Sequence, residues 1–412
     1  MLKKISSNSV WTLKAFRIIW SSQSIAAIGI AIHNIALPII AIHLLHASAI
    51  EVSLISTARY LPNLLFSISI GSFVDRSDRK FIAIYAELTR FILVLSIPIL
   101  YTFYFINIPF LILIAFLIGI ARIFFELSLS SLFPIVIPPD KRLSANANLQ
   151  VISSVGEISG PGVAGFIINI IGATSSLLIN AATFFLSAIF IAKLPIEDKD
   201  RKSNISSQKE SFFDGFYELL SRPVLMGIIL VGAISNFAFM AVQSVYFIVT
   251  LKLFGFNTLI ASSLLIFSGI GSLVGNISAR WLHNFFSVKF LMLFSIILMI
   301  IGSTIMLFAR GPIWITSTLI SIGYFLWGLC LGLFNIYSAT YRQKVVPPEA
   351  MGKLVGAART LIYGAMPLGS LSGGLIVDFL GSRYVFLFNC LINLISLVIL
   401  FFSLRKVDKI LL

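Results

Sequence analysis

The sequence predicts an all-α membrane protein. It should have twelve transmembrane helices in two six-helix halves, with both termini cytoplasmic. Three observations predict this. Only 11% of the 412 residues are charged and 58% are hydrophobic, with a mean hydropathy of +1.02. A soluble domain carries about 25% charged residues, so this chain has too little charge for a water-facing surface. Its apolar residues fall in runs long enough to cross a bilayer, which takes about 20 residues. The chain also matches itself when shifted by 209 residues.

Charge, glycine and proline interrupt the apolar runs and set the span limits. In order, the predicted spans are 15–43, 50–72, 81–104, 108–133, 145–171, 174–193, 223–251, 258–280, 288–309, 313–340, 351–379 and 383–404. The longest polar piece, EDKDRKSNISSQKESFFDG, lies at 197–215 and splits the chain nearly in half. The expected organisation is an N-terminal half over 1–194, a cytoplasmic linker over 195–222 and a C-terminal half over 223–412. Orientation follows from the 30 Lys and Arg. With the N-terminus inside, 23 lie in cytoplasmic segments or helix ends, four lie within spans, and only Lys252, Arg310 and Arg383 lie outside. Basic residues hold loops on the cytoplasmic side. This asymmetry also accounts for the net charge of +14 without a nucleic-acid partner. The start lacks the short apolar core and small-residue cleavage site of a removable signal. Cys330 and Cys390 sit within apolar runs with no metal or disulfide spacing, so neither a metal nor a cofactor is expected.

The 209-residue shift needs no gap over some 70 residues. PPDKRL at 138–143 meets PPEAMG at 347–352, and Phe116, Leu117, Gly119 and Phe125 meet Phe325, Leu326, Gly328 and Phe334. Gly160, Gly165, Gly172 and Asn180 meet Gly369, Gly374, Gly381 and Asn389. Spans four to six therefore repeat as ten to twelve, in two halves of the same orientation.

After the second span comes GSFVDRSDRK, residues 71–80. With twelve spans, two parallel halves and a long middle loop, this stretch resembles the major facilitator superfamily. That family's loop signature is G-x-x-x-D-R-x-x-R-[RK], matched by Gly71, Asp75, Arg76, Arg79 and Lys80. The resemblance implies a cytoplasmic latch, in which Asp75 meets the positive end of a neighbouring helix. The basic residues keep the loop inside, and Gly71 lets helices approach. GNISARW, from Gly275 to Trp281, is a worn copy with Ala279 in place of the acid.

Span five contains GEISGPGVAG. Gly156, Gly160, Pro161 and Gly165 match the exporter-associated signature of the superfamily; Ala164 and Ala147 depart from it. Proline bends a membrane helix, and glycines let the bend press on a partner, which makes this segment a seal or pivot. The segments RYLPNLLFSISIGSFVDRSDRK and SANANLQVISSVGEISGPGVAGFIINIIGATSSLLINAATFF are similar to the branch of macrolide-efflux and enterobactin-exporter-like proteins. That similarity implies efflux of amphipathic small molecules of drug or siderophore type.

Charge in a bilayer costs at least about 2.5–3.5 kcal/mol, so each case asks for a partner or a task. The resemblance implies a cavity lined by spans one, two, four, five, seven, eight, ten and eleven. Arg59, Arg122, Glu126, Glu157 and Arg359 lie on such spans. Glu157 is the first proton-coupling candidate and Glu126 the second. Glu157 could instead serve a cationic substrate. Arg122 and Glu126, four apart, share a helix face and could equally be a structural pair. Glu87 and Arg90 lie on a peripheral span and read as structural, and His33 reads as packing. Asn236, Phe237, Gln243, Tyr246, Tyr324, Trp327, Asn335 and Tyr337 are candidates for an apolar and aromatic substrate wall.

The expected function is therefore secondary active transport by alternating access: proton-coupled export, with import by a symporter of the same fold as the alternative. No nucleophile motif or phosphate loop argues for an enzyme or an ATP-driven pump. Expected partners are a small-molecule substrate, protons and the lipid bilayer, with the chain a monomer. The expected location is a bacterial cytoplasmic membrane.

Overall fold

The computed structural model describes residues 9–195 and 214–405. The chain forms fourteen α-helices among these residues and no strand. In the first part they are α1 (Lys14–His43), α2 (Ala49–Asp75), α3 (Arg79–Thr102), α4 (Ile108–Val136), α5 (Arg142–Ile171) and α6 (Ala173–Ala192). A short α7 (Asp214–Leu220) leads into α8 (Pro223–Ile248), which ends in a π turn over Val249–Leu253. Then come α9 (Thr258–Leu264), α10 (Ile266–His283), α11 (Val288–Leu307), α12 (Ile313–Val345), α13 (Pro348–Phe379) and α14 (Tyr384–Arg405).

Eleven helical segments among the described residues are long and apolar enough to cross a membrane. The predicted eighth span is one of them, although its helix breaks between α9 and α10. The predicted second span, α2, is not among the eleven. It has the length, 27 residues, but Glu51, Arg59, Asn63 and Asp75 lower its apolar content. The predicted linker lies mostly outside the described residues.

Helix starts follow local chemistry. Asp78 accepts from the Phe81 amide and caps α3, Asn107 caps α4 through Phe110, and Ser287 caps α11 through Phe290. Each side-chain oxygen satisfies one of the free amides that open a helix.

The repeat is present in the backbone. Lys14, Ala49 and Arg79 open α1, α2 and α3; Pro223, Thr258 and Val288 open α8, α9 and α11, each 209 residues later. Gly172 and Gly381 share a left-handed φ of 83° and 109°, and so do His46 and Gly255 at 51° and 69°. The glycines match across the shift because both copies need the same reversed turn, which glycine adopts without strain.

Contacts divide the chain into two compact units. The first takes residues 1–45 and 61–207, the second 46–60 and 208–412. In the first unit α1 lies against α6. Asn180 donates to the Gly29 carbonyl, and the Ser22 and Ser187 hydroxyls meet at 2.8 Å, wholly buried. Such polar contacts hold helices together where lipid offers no hydrophobic contrast.

In the second unit α10 crosses α12 along facing glycine pairs, Gly271 and Gly275 against Gly328 and Gly332. A Cβ on Gly275 would lie 2.7 Å from the Leu329 carbonyl oxygen. Gly275, read above as part of a worn latch, is thus occupied in a helix seam. The second unit also holds the first part of α2. The Asp378 carboxylate accepts from the Ala49 and Ile50 amides at 3.0 and 2.9 Å. Ser370 Oγ donates to the Ser53 carbonyl at 3.1 Å, and Thr57 Oγ1 to that of Pro367 at 3.3 Å. Asp378 acts as an N-cap supplied from α13, nearly 330 residues away in the chain. An N-cap contributes about 1 kcal/mol. Asp378→Ala is expected to speed hydrogen exchange of the 49–53 amides about fivefold, read by mass spectrometry. Unchanged exchange would show that the cap carries no energy.

Candidate functional site

The first unit contains a cavity of about 360 Å³ between α1 and α5. One wall is a stripe of α1: Trp20, Ser24, Ala27, Ile28 and Ala31. The other runs along α5 from Val151 to Ala164. The positions on α1 recur every three or four residues, so they share one helix face. Small residues set the separation: a Cβ on Gly156 would lie 3.7 Å from Ala27 Cβ, and one on Gly160 3.0 Å from Ala31 Cβ. Gly156 and Gly160 therefore face α1, and Pro161 follows within the same helix. Gly165, four residues past Pro161, is buried.

The matching seam of the second unit, α8 against α13, is tighter. A Cβ on Gly369 would overlap the Phe237 carbonyl, one on Gly373 that of Ala241, and Ser244 Oγ donates to the Ser370 carbonyl at 2.9 Å. The repeat thus places the same helix pair twice, pressed together in one unit and parted around a cavity in the other.

Glu157 lies beside the cavity on α5. Its side chain is exposed on this unit, and Ser153 Oγ donates to Oε1 at 3.5 Å. Proline has no amide hydrogen, so Pro161 leaves the carbonyl four residues earlier without its helical partner. That carbonyl belongs to Glu157. A carboxylate and a freed backbone acceptor therefore coincide at one residue, a turn before Pro161.

Arg122 Nε and Glu126 Oε1 pair at 2.6 Å within one helix, both partly exposed. Glu87 and Arg90 are buried and pair at 2.7 Å. The Arg90 guanidinium lies 3.8 Å from the centre of the Phe184 ring and 5.8 Å from that of Phe125, which ties α3 to α4 and α6. Arg59 and Arg359 each lie over a neighbouring tyrosine, Tyr60 at 5.6 Å and Tyr363 at 5.5 Å.

The charged loop is organised by capping. Arg79 donates to the Asp75 carbonyl at 3.5 Å, and Lys80 Nζ to that of Leu194 at 2.7 Å, past the end of α6. A cation at a helix C-terminus complements its dipole. Arg76 and Asp75 are exposed. Gly71 does not mark a close approach in this unit, since a Cβ there would meet only Leu127 Cδ1, at 3.9 Å.

Several wall candidates are core residues instead. Tyr246, Tyr324 and Trp327 are at most 2% exposed, with Tyr246 edge-on to Tyr324 at 5.3 Å and Tyr324 tilted against Trp327 at 5.4 Å. Tyr246 donates to the Ala261 carbonyl at 2.6 Å, Tyr337 to that of Ala279 at 2.7 Å, and Trp327 Nε1 to Met299 O and Ser303 Oγ. Asn236 returns its amide to the Gly232 carbonyl of its own helix at 3.0 Å. Phe237 packs on Phe388 at 5.9 Å, Gln243 is half-buried, and Asn335 is exposed. The cavity between α1 and α5 was not anticipated from the sequence. The signal that could have found it was the stripe of small residues on α1.

The sequence model of the Major Facilitator Superfamily matches residues 19–370, with a second match over 286–410. The chain belongs to the major facilitator superfamily. Among its relatives, this transporter is 26% identical to the MFS-type transporter YfiS of Bacillus subtilis, covering 94% of this chain and 93% of that one. It is 24% identical to macrolide efflux protein A of Streptococcus pyogenes, over 97% and 98% of the two chains. A solved bacterial homologue of the iron transporter ferroportin, in an inward-facing state, superposes with a TM-score of 0.76 at 14% identity, over 94% and 98%. That likeness establishes the fold.

Proposed function

We propose that this facilitator is a proton-coupled exporter of amphipathic small molecules in a bacterial cytoplasmic membrane. The observation that carries the reading is Glu157, an exposed carboxylate one turn before Pro161, beside an apolar cavity. The similarity to macrolide efflux protein A supports the outward direction. In this reading Glu157 holds a proton when substrate is absent and yields it when substrate binds. Glu126, paired with Arg122, is the second carrier. Arg59 and Arg359 supply positive charge for anionic groups of the cargo. Gly156, Gly160, Pro161 and Gly165 form the pivot on which α5 moves, and the loop from Gly71 to Lys80 is the cytoplasmic lock. The two halves, 1–194 and 223–412, alternate access as a monomer.

Inverted membrane vesicles test the direction. Energised inverted vesicles are expected to accumulate macrolide, and a protonophore is expected to stop this. Accumulation confined to right-side-out vesicles would replace export by import.

A further inference from the structure

We propose that the cavity between α1 and α5 binds one extended alkyl chain whose anionic head sits at the Arg17 end. Shape is the first argument. From Trp20 to Ala31 the wall runs about 17 Å at the helical rise of 1.5 Å per residue. Over that length the half-open groove holds about 360 Å³. A space so long for its volume is a slot. Its shape suits a single hydrocarbon chain.

Chemistry is the second argument. No charged side chain lines the slot; its walls are Trp, Ile, Val, Ala and Gly with two serines. Ser159 spends its hydroxyl on the Val155 carbonyl at 2.8 Å. Ser24 Oγ is buried and has no hydrogen-bond partner among the described residues. A buried hydroxyl left without a partner is costly, so an occupant with one polar atom near it is favoured.

Charge at one end is the third. The α1 stripe continues from Trp20 to Arg17, one turn earlier, and Lys14 opens the same helix; both are exposed. Lys141 reaches the same end of α1, with Nζ 3.5 Å from Thr12 Oγ1. Arg17, Lys14 and Lys141 thus gather around the start of α1, beyond the Trp20 end of the slot, with the acid Asp140 beside Lys141; the net positive charge complements a carboxylate or phosphate head. The occupant is a single-chain anionic amphiphile such as a fatty acid or a lysophospholipid. This deepens the proposed transport of amphipathic molecules and rests on it only for the claim that the occupant is cargo.

Trp20 reports on the slot. The purified full-length protein in detergent is titrated with octadecanoic acid brominated at mid-chain, which quenches tryptophan on contact. The expected result is saturable quenching that is absent in Trp20→Phe and in Gly156→Leu, which fills the slot. Arg17→Gln is expected to weaken binding by roughly tenfold, and acids too short to span the slot are expected to bind roughly fourfold more weakly for each missing methylene. The Ala31→Leu variant narrows the other end and is expected to give the same loss, which covers the case that Gly156→Leu misfolds. Quenching that rises linearly without saturation, or equally with brominated phospholipid in nanodiscs, would mean an ordinary lipid-facing surface and overturn the proposal. Equal affinity for the acid and its methyl ester would overturn the anionic head. No step requires transport, so a failure of export leaves this result standing and the reverse also holds.

Discussion

Glu157→Gln is expected to abolish substrate-triggered proton release from the purified transporter. Wild-type protein in weakly buffered detergent should acidify the solution when a macrolide or siderophore is added, and the variant should not. Substrate and proton are linked through one carboxyl, and coupling between two ligands is reciprocal. Wild-type substrate affinity should therefore rise with pH as the proton leaves. In the variant this dependence should flatten, with the affinity held near the wild-type low-pH value because glutamine is neutral like the protonated carboxyl; at high pH this is a loss of something like the 5–150-fold typical of such coupling. Glutamine keeps the size and the hydrogen bond available to Ser153, so lost coupling would not reflect lost packing. Persistent release in the variant would shift the role to Glu126. The geometry says why Glu126 ranks second: its Oε1 is already engaged by Arg122 at 2.6 Å, whereas Glu157 has only a 3.5 Å contact with a serine.

The largest structural effect is expected at Gly328. It faces α10, and a Cβ there would overlap the Ser268 carbonyl oxygen and lie 2.8 Å from both the Ser268 carbonyl carbon and the Ser272 nitrogen. All three are backbone atoms, so no side chain can swing aside; the two helices must part. Overpacking of this kind costs about 1–3 kcal/mol or more. Parting the helices would also lose the neighbouring contacts of Gly271, Gly275 and Gly332. Gly328→Ala is expected to lower the melting temperature of the purified protein clearly, and Gly328→Leu to leave no monodisperse folded material by size-exclusion chromatography. Gly356→Ala is the control: a Cβ there meets nothing within 4 Å, and the protein should be unchanged. A wild-type melting curve for Gly328→Leu would mean that the α10–α12 seam is looser than its geometry indicates.

The two predictions draw on different kinds of information. Glu157 was legible in the sequence, because a carboxylate among apolar residues is conspicuous by its cost, and Pro161 four residues on marks a bend. Gly328 was visible only as a match to Gly119 across the repeat. Its function needed the facing helix, Ser268 included. The wall candidates show the same limit more sharply. Tyr246, Tyr324 and Trp327 combine an apolar ring with a polar tip, which suits a substrate wall and a helix interior equally. Their burial and their partners Ala261, Met299 and Ser303 place them inside the second unit.

The sequence by itself determined the membrane class, eleven of the predicted span positions, the 209-residue repeat and the superfamily. Each of these rests on the length of apolar runs, on the charged motif from Gly71 to Lys80, or on residues matched across the 209-residue shift, and all can be read along the chain without its packing. Only the tertiary structure decided which face of each helix meets protein. It carried residues 46–60 into the second unit under the Asp378 cap, closed the α8–α13 seam and left its counterpart between α1 and α5 open. The physical reason is that lipid and protein interior are both apolar. In a soluble helix, alternation of polar and apolar residues points to the core. Here a residue facing lipid and one facing a neighbouring helix read alike, and small residues and hydrogen bonds between helices set the packing.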